Sequence, residues 1–322
     1  MYSFINFFLE INYSEKHKKI TNEVKVFFIG GLLFLIGILF TSIPLDIKMF
    51  CVIMYIIGIS SDKKYLSSPN LRLFLQTSLI IVSIYVLKIQ INETRLPIID
   101  NFLDKGFFSI IFTTFCILIL INGSNFIDGI NCNLILYYLL ITFLFIFVNH
   151  DNFFSLINRK DLIIISIFLS STLLLNFLGK ITSGDSGAYL LSYIWGLNLI
   201  QISSNNSFVS PFFIVLLLWY PAFENLFSII RKLKLNKSAL EADFNHLHQL
   251  LFLLINLKIK NKRLANNLSG ILINTYNLLI FTYAINYYNH TDIMIMLTLM
   301  NLTVYLLSYF LILNFIKKVL KK

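Results

Sequence analysis

Long apolar segments alternate with short polar segments along almost the whole chain. Their lengths approach the roughly 20 residues that a helix needs to cross a bilayer, and a break at Pro44 separates the first two as a tight hairpin. The pattern predicts an all-α, polytopic integral membrane protein with about ten transmembrane helices, some of them broken beside a polar site. The ten apolar segments are residues 25–42, 44–60, 73–90, 107–122, 133–149, 162–178, 187–203, 208–225, 264–288 and 292–315.

The composition supports a membrane protein and excludes an ordinary soluble one. Of the 322 residues, 57% are hydrophobic and 13% are charged, whereas soluble domains have about 25% charged residues. We find no internal repeat and no linker, so we expect one membrane-embedded domain over 25–322 after a short apolar and basic segment, 1–24. The net charge of +10 is typical of cytoplasmic loops, and no nucleic-acid partner is expected.

The basic residues predict the orientation of the helices. Twenty of the 26 Lys and Arg residues fall in alternate loops or at the termini, so the positive-inside rule places both termini in the cytoplasm. The polar loops 61–72, 122–132, 179–188 and 226–263 then share the cytoplasmic face.

Three acidic residues in these loops are candidates for chemistry. Asp128 lies in an amide-rich segment, 122–133, and an Asp at membrane depth costs roughly 2.5–3.5 kcal/mol unless it serves a polar site. Asp185 lies at a Gly-rich helix start, whose free N–H groups suit an anion and whose carboxylate suits Mg²⁺. Asp62 lies in the loop 61–72. For each residue, a solvated turn or helix cap remains the alternative.

The long loop 226–263 adds basic residues and the pair His246 and His248. These groups suit a phosphate-bearing ligand at a membrane surface, although lipid headgroups explain the lysines equally well. Zinc is not expected, because no third nitrogen or sulfur ligand is near the pair. The three cysteines have no metal-site spacing and are read as packing residues.

Four motifs, in order, resemble one family, the polyprenyl-phosphate N-acetylhexosamine-1-phosphate transferases (glycosyltransferase 4 family; WecA-like, more distantly MraY-like). The resemblance covers nearly the whole chain. The matching residues are Ser61, Asp62, Leu66, Pro69 and Leu71-Arg72-Leu73; Asn122, Asn125, Asp128, Gly129 and Asn131; Lys180, Ile181, Gly184, Asp185 and Gly187; and Glu241-Ala242-Asp243-Phe244-Asn245-His246-Leu247-His248.

The resemblance implies a reaction and its residues. Such enzymes transfer a sugar 1-phosphate from a UDP-N-acetylhexosamine to undecaprenyl phosphate, release UMP and use Mg²⁺, with Mn²⁺ as an alternative. It implies Asp185 as the metal ligand and Asp62 as activator of the lipid phosphate, with Asp128 shaping the nucleotide site. The implied substrate-binding residues are Asn122, Asn125, Asn131, Lys180, His246 and His248.

The resemblance also implies a place in the cell: the bacterial inner membrane, multi-pass, with the site facing the cytoplasm. There the enzyme would initiate a lipid-linked envelope glycan such as O-antigen or capsule. Membrane lipid is an implied partner, whereas the sugar, the polyprenyl chain length and the oligomeric state, with a homodimer as one option, stay open. N-acetylglucosamine is one candidate sugar.

Departures from the family pattern keep two alternatives open. Ser61 replaces the usual first Asp, Cys132 a usual Gly, and Gln249 a third His. A catalytically degenerate membrane scaffold is therefore one alternative, and a polytopic transporter is another. The chain also looks one helix short at its start, so residues 1–11 are read as a remnant of a first helix or the helix is missing.

Overall fold

The computed structural model describes residues 27–148, 153, 155–236 and 245–320. The predicted segment 1–24 lies outside the described residues. The first part of the His motif, which includes Glu241 and Asp243, also lies outside them. Within the described part the protein is all-α and contains no strand; a single parallel bridge pairs Phe27 with Ile181.

Thirteen α-helices follow one another in this part of the chain. They are α1 (Gly30–Leu39), α2 (Leu45–Asp62), α3 (Pro69–Leu87), α4 (Pro97–Leu103), α5 (Phe107–Ile127), α6 (Asn133–Phe147), α7 (Arg159–Phe177), α8 (Gly184–Asn205), α9 (Pro211–Leu217), α10 (Trp219–Lys234), α11 (Leu247–Lys258), α12 (Lys262–Ala284) and α13 (Thr291–Leu320).

Nine of the ten predicted apolar segments coincide with one helix each, segment 208–225 covers α9 and the first part of α10, and α4 and α11 are additional. Among the described residues, α3, α5, α7, α12 and α13 are long and apolar enough to cross a membrane. A sixth span results if α9 and α10, bent by 74° around Leu218, count as one. These observations fit a membrane all-α protein, while the number of ten crossings stays a prediction.

The remaining helices miss the length or polarity of a span for identifiable reasons. Helix α1 has only 10 residues and α6 only 15. Helix α2 carries Asp46, Lys48 and Asp62. Helix α8 has 22 residues but includes many polar ones. Because the part of α8 from Gly184 to Ile200 is enclosed by other helices, its polar side chains face protein and not lipid.

Helix α8 is the centre of the bundle. Every residue from Gly184 to Ile200 is buried, and α1, α2 and α5 pack closely around it. Glycines allow this close packing at its first turn: a Cβ on Gly58 would lie 2.4 Å from Cα of Ser186, and one on Gly31 would lie 2.6 Å from N of Gly187. The start of α8 is therefore held between α1 and α2.

Contacts between loops sort the loops into two ends of the bundle. The first end contains the segments before α1, after α2, after α5 and before α8, together with the start of α12. The second end contains the segments on both sides of α4 and the segments before α2, α7, α9 and α13. The contacts at the first end are Phe27 with Thr182, Asp62 with Ser186, Asp128 with Gly184, and Asn131 with Asn266; those at the second are Ser42 with Asp161, Arg95 with Thr291, and Gln90 with Ser204.

Candidate functional site

Two carboxylates hold the first turn of α8. Asp62 accepts hydrogen bonds from the backbone N–H of Asp185 at 2.8 Å and of Ser186 at 3.0 Å. Asp128 accepts one from the backbone N–H of Gly184 at 3.1 Å. The sequence predicted that these N–H groups are free for a ligand anion, and this prediction is wrong in the described structure. The protein's own carboxylates bind them, because buried carboxylates need donors.

Gly184 is required by this arrangement. Its φ is +67°, a left-handed conformation that costs L-residues about 1–2 kcal/mol, and an added Cβ would lie 2.7 Å from Oδ2 of Asp62. The Gly-rich turn that the sequence analysis noted therefore serves the approach of Asp62 to the helix start.

Asp185 lies one residue further along α8 and is buried. Its Oδ2 accepts hydrogen bonds from the hydroxyl of Ser61, from Nη1 of Arg72 at 3.1 Å and from the hydroxyl of Tyr189 at 3.3 Å. Nη1 of Arg72 also donates to Oγ of Ser61 at 2.6 Å. The guanidinium of Arg72 thus offsets the charge of Asp185, and Ser61 bridges the two groups.

Asp62 has an unusual protonation equilibrium. It is the last residue of α2, outside the candidate spans. Burial, and then the nearby negative charge of Asp185, raise the pKa of Asp62 to about 7, although the two backbone hydrogen bonds act in the opposite direction. Burial and the charge of Asp185 therefore favour the protonated form of Asp62.

The amide-rich segment is anchored at its far end. The backbone N–H of Asn131 donates to Oδ1 of Asn266 at 3.1 Å, and its Nδ2 donates to Oδ1 of Asn267 at 3.1 Å. The next residue, Cys132, has a φ of +63° and donates its backbone N–H to Oδ1 of Asn176 at 2.7 Å. Asn131 therefore ties this segment to α12, a structural role that the sequence analysis did not foresee.

The other predicted substrate-binding residues differ in position. Nδ2 of Asn122 donates to O of Leu118 one turn earlier in α5, at 2.9 Å, and Asn125 is half-buried. The side chain of Lys180 is exposed. Within the described part of the chain, the Lys180 ammonium group makes no hydrogen bond or ion pair, so the structure does not bring it to the three acids.

The His motif meets the amide-rich segment. The ring of His246 lies parallel to that of His248, with centroids 5.5 Å apart and an angle of 9°. A Cβ on Gly129 would lie 2.7 Å from Nε2 of His248, so His248 lies against the residue after Asp128. Nδ1 of His246 is 2.8 Å from Oε1 of Glu224, and both side chains are buried.

Arg72 and Glu224 are therefore polar partners to which the sequence analysis gave no role. Glu224 had a usable signal, because it is an acidic residue inside an apolar segment, where such residues are costly. Arg72 had two signals, its place in the matching motif Leu71-Arg72-Leu73 and its position in the loop that also carries Asp62.

The donors around Asp185 suit a hard cation only in part. Among the described residues, no group of three His, Cys, Asp or Glu side chains is placed to hold a metal ion. Mg²⁺ is, however, commonly bound by one or two carboxylates together with substrate phosphates. Asp185 and the hydroxyl of Ser61 provide oxygen donors of this kind, so the residues fit an ion that binds together with a phosphate-bearing substrate.

Comparison with known protein families gives a match to part of the chain. The profile of glycosyl transferase family 4 matches residues 45–203, a region that contains Asp62, Asp128 and Asp185 but not the His motif. A search of the curated proteins finds no match. Residues 45–203 of this chain are thus similar to glycosyl transferase family 4, the family of WecA-like and MraY-like phosphosugar transferases, and the predicted resemblance is confirmed for this region, which contains three of the four motifs.

Proposed function

We propose that this protein transfers an N-acetylhexosamine 1-phosphate from a UDP-sugar to undecaprenyl phosphate and releases UMP. One observation carries the proposal: the carboxylates of Asp62 and Asp128 converge on the first turn of α8, which carries Asp185, within the region that matches the family. The family implies a nucleotide-sugar donor and a polyprenyl phosphate acceptor in the membrane.

In this reaction, an oxygen of the lipid phosphate attacks the sugar-bearing phosphorus of the donor. The bond from that phosphorus to the bridging oxygen breaks, and UMP leaves with the bond's electron pair. No proton is consumed when the acceptor is already ionised. The enzyme must therefore align two polyanions and offset their charge.

The residues at the start of α8 suit this task. We propose that Asp185 binds Mg²⁺ together with a phosphate of the donor; the ion would offset phosphate charge when bound. Asp62 and Asp128 would keep Asp185 in place by fixing the helix start, and Asp62 also remains our candidate for activating the lipid phosphate. Arg72 would keep the charge of Asp185 offset before the ion binds.

We further propose that Asn122, Asn125, His246 and His248 bind the donor, and that Lys180 reaches it from the exposed loop. The site would face the cytoplasm at the bacterial inner membrane, where the soluble donor and the lipid acceptor meet. The product would start an envelope glycan such as O-antigen or capsule.

The test is UMP release by purified protein in detergent with Mg²⁺, undecaprenyl phosphate and a panel of UDP-N-acetylhexosamines. Asp185→Asn should lower the rate on the order of 100-fold or more, because charge stabilisation at the reacting phosphates is lost. The matched control is Asp46→Asn, which changes an exposed acid at the other end of α2 and should leave the rate unchanged.

Three outcomes are informative. UMP release with one sugar, lost in Asp185→Asn and on chelation of Mg²⁺, supports the proposal and identifies the donor. A rate that survives Asp185→Asn contradicts the role of this residue. No UMP from folded protein with any sugar favours the non-catalytic scaffold.

A further inference from the structure

Glu224 is an acid enclosed among the helices of the bundle. It lies on α10, six residues after the bend at Leu218, and no part of its side chain is exposed. An acidic side chain that is fully enclosed in a membrane protein is costly unless a hydrogen-bond donor binds it. Its partner is His246, whose Nδ1 lies 2.8 Å from Oε1.

The chemistry of the two groups fixes the position of a proton. An ionised carboxylate only accepts hydrogen bonds, so the imidazole nitrogen that faces it must carry the hydrogen. Nδ1 of His246 is then the donor, and Nε2 is the ring nitrogen that remains for another partner. A carboxylate that orients an imidazole in this way selects its tautomer and its ring plane.

The ring of His246 is also fixed by its neighbours. The ring of Phe126 packs against it with centroids 4.9 Å apart, and the ring of His248 lies parallel to it. The backbone N–H of His246 donates to Oε1 of Gln249 at 3.3 Å. His246 therefore cannot tilt without moving His248, which lies against Gly129 beside Asp128.

Other charged or titratable groups near the pair lie on α10, α11 and α13. Lys232 is on α10, and its Nζ lies 5.4 Å from the centroid of the Phe126 ring on α5. Arg231 donates to the backbone oxygen of Asn245 at 2.5 Å and lies over the ring of Tyr309. Within the described residues, the other titratable groups that face Glu224 or His246 are Tyr220 on α10, Tyr305 on α13 and His248 on α11.

We propose that Glu224 is a positioning residue: it holds His246 as the Nδ1–H tautomer and in one ring plane, and so presents Nε2 of His246 and the stacked His248 to the donor's phosphate or sugar groups. The consequence for the rate rests on the function proposed above. The tautomer itself does not depend on that function.

The first arm of the experiment measures the tautomer. Full-length protein labelled with ¹⁵N-histidine is studied by NMR in detergent, and the His246 signals are assigned by their loss in His246→Gln. We expect a proton on Nδ1 of His246 in the wild type. In Glu224→Gln the amide can donate to Nδ1, and we expect the Nε2–H tautomer to appear. A wild-type Nδ1 without a proton overturns the proposal.

The second arm measures UMP release. Glu224→Gln should lower kcat roughly 10- to 100-fold, the range for residues that orient a functional histidine, with little change in KM for the donor. The matched control is Asp161→Asn, because Asp161 is also a buried acid and binds Ser42 at the other end of the bundle. It should keep the wild-type kcat. An unchanged kcat in Glu224→Gln overturns the catalytic consequence.

The two arms separate the two proposals. If the wild type releases no UMP, the proposed function fails, while the NMR arm still decides the tautomer. If Glu224→Gln does not fold, the wild-type NMR signals alone support or overturn the role of Glu224.

Discussion

At the scale of single residues, Asp62 makes two interactions that differ in chemistry: its carboxylate accepts hydrogen bonds from the start of α8, and it faces the like charge of Asp185. Replacing Asp62 by Asn removes its repulsion with Asp185. It also places an NH₂ group against one of the two backbone N–H groups that donate to Asp62 in the wild type, so that this N–H loses its acceptor. A buried donor left without a partner costs about 1–3 kcal/mol, so we expect Asp62→Asn to destabilise the fold by about 1 kcal/mol.

Thermal unfolding in detergent measures this change, and Asp46→Asn is the control on the same helix. Asp46 is exposed and accepts one hydrogen bond, from the backbone N–H of Ile47, so its replacement should lower the Tm less than that of Asp62. Equal Tm values for the two variants would show that Asp62 does not hold the start of α8.

The sequence allowed the acids of the site to be predicted but not their partners. Asp62, Asp128 and Asp185 stand out because acids are rare in this chain and costly near a membrane. Their partners are decided by packing between helices distant in sequence: Arg72 meets Asp185 113 positions later, and Asn131 meets Asn266 135 positions later. No local pattern encodes such pairs.

At the scale of helices, the contact between α5 and α10 sets the position of the His motif. A Cβ on Gly123 would lie only 1.9 Å from the backbone oxygen of Pro221, and Glu224 follows Pro221 on the same helix. We expect Gly123→Ala to force α10 away from α5. This would destabilise the fold by about 1–3 kcal/mol, the usual cost of overpacking, and would reduce UMP release.

Gly196→Ala is the matched control, because Gly196 also faces α5 from a buried helix. Its added Cβ would meet only side chains, the nearest being Cδ2 of Leu120 at 3.3 Å, and these can shift. We expect a Tm close to that of the wild type. A Gly123→Ala protein with wild-type Tm and rate would show that this contact does not position Glu224.

Helix positions were predictable and helix surroundings were not. Apolar length identifies where helices lie, because a bilayer demands it. It does not tell that α8 is enclosed on all sides, because a helix that faces protein and a helix that faces lipid can have the same apolar residues. The bend between α9 and α10 was likewise expected in kind but not in place.

At the scale of the whole molecule, the loops alternate between the two ends of the bundle, and the basic residues predict which end is cytoplasmic. The end that carries Asp62 and Asp185 also carries the loops richest in Lys and Arg. Hydrogen bonds between loops of the same end agree with ten alternating crossings, including those of α1, α2, α6 and α8, which are too short or too polar to be recognised as spans by themselves.

Cysteine labelling with a reagent that does not cross membranes tests this arrangement. Cys51, Cys116 and Cys132 are first replaced, and single cysteines are then introduced as Ser67→Cys, between α2 and α3, and Asp104→Cys, between α4 and α5. Both positions are exposed. The positive-inside rule places the loop between α2 and α3 in the cytoplasm. We therefore expect Ser67→Cys to react only in inside-out vesicles and Asp104→Cys only in right-side-out vesicles.

Asn261→Cys, an exposed position at the start of α12, provides an independent check, because it should react on the same side as Ser67→Cys. UMP release by each variant shows whether the site is intact. If Ser67→Cys and Asp104→Cys react on one side, α3 does not cross the membrane. If both react on the sides opposite to those expected, the site faces away from the cytoplasm, and a cytosolic nucleotide sugar could not reach it.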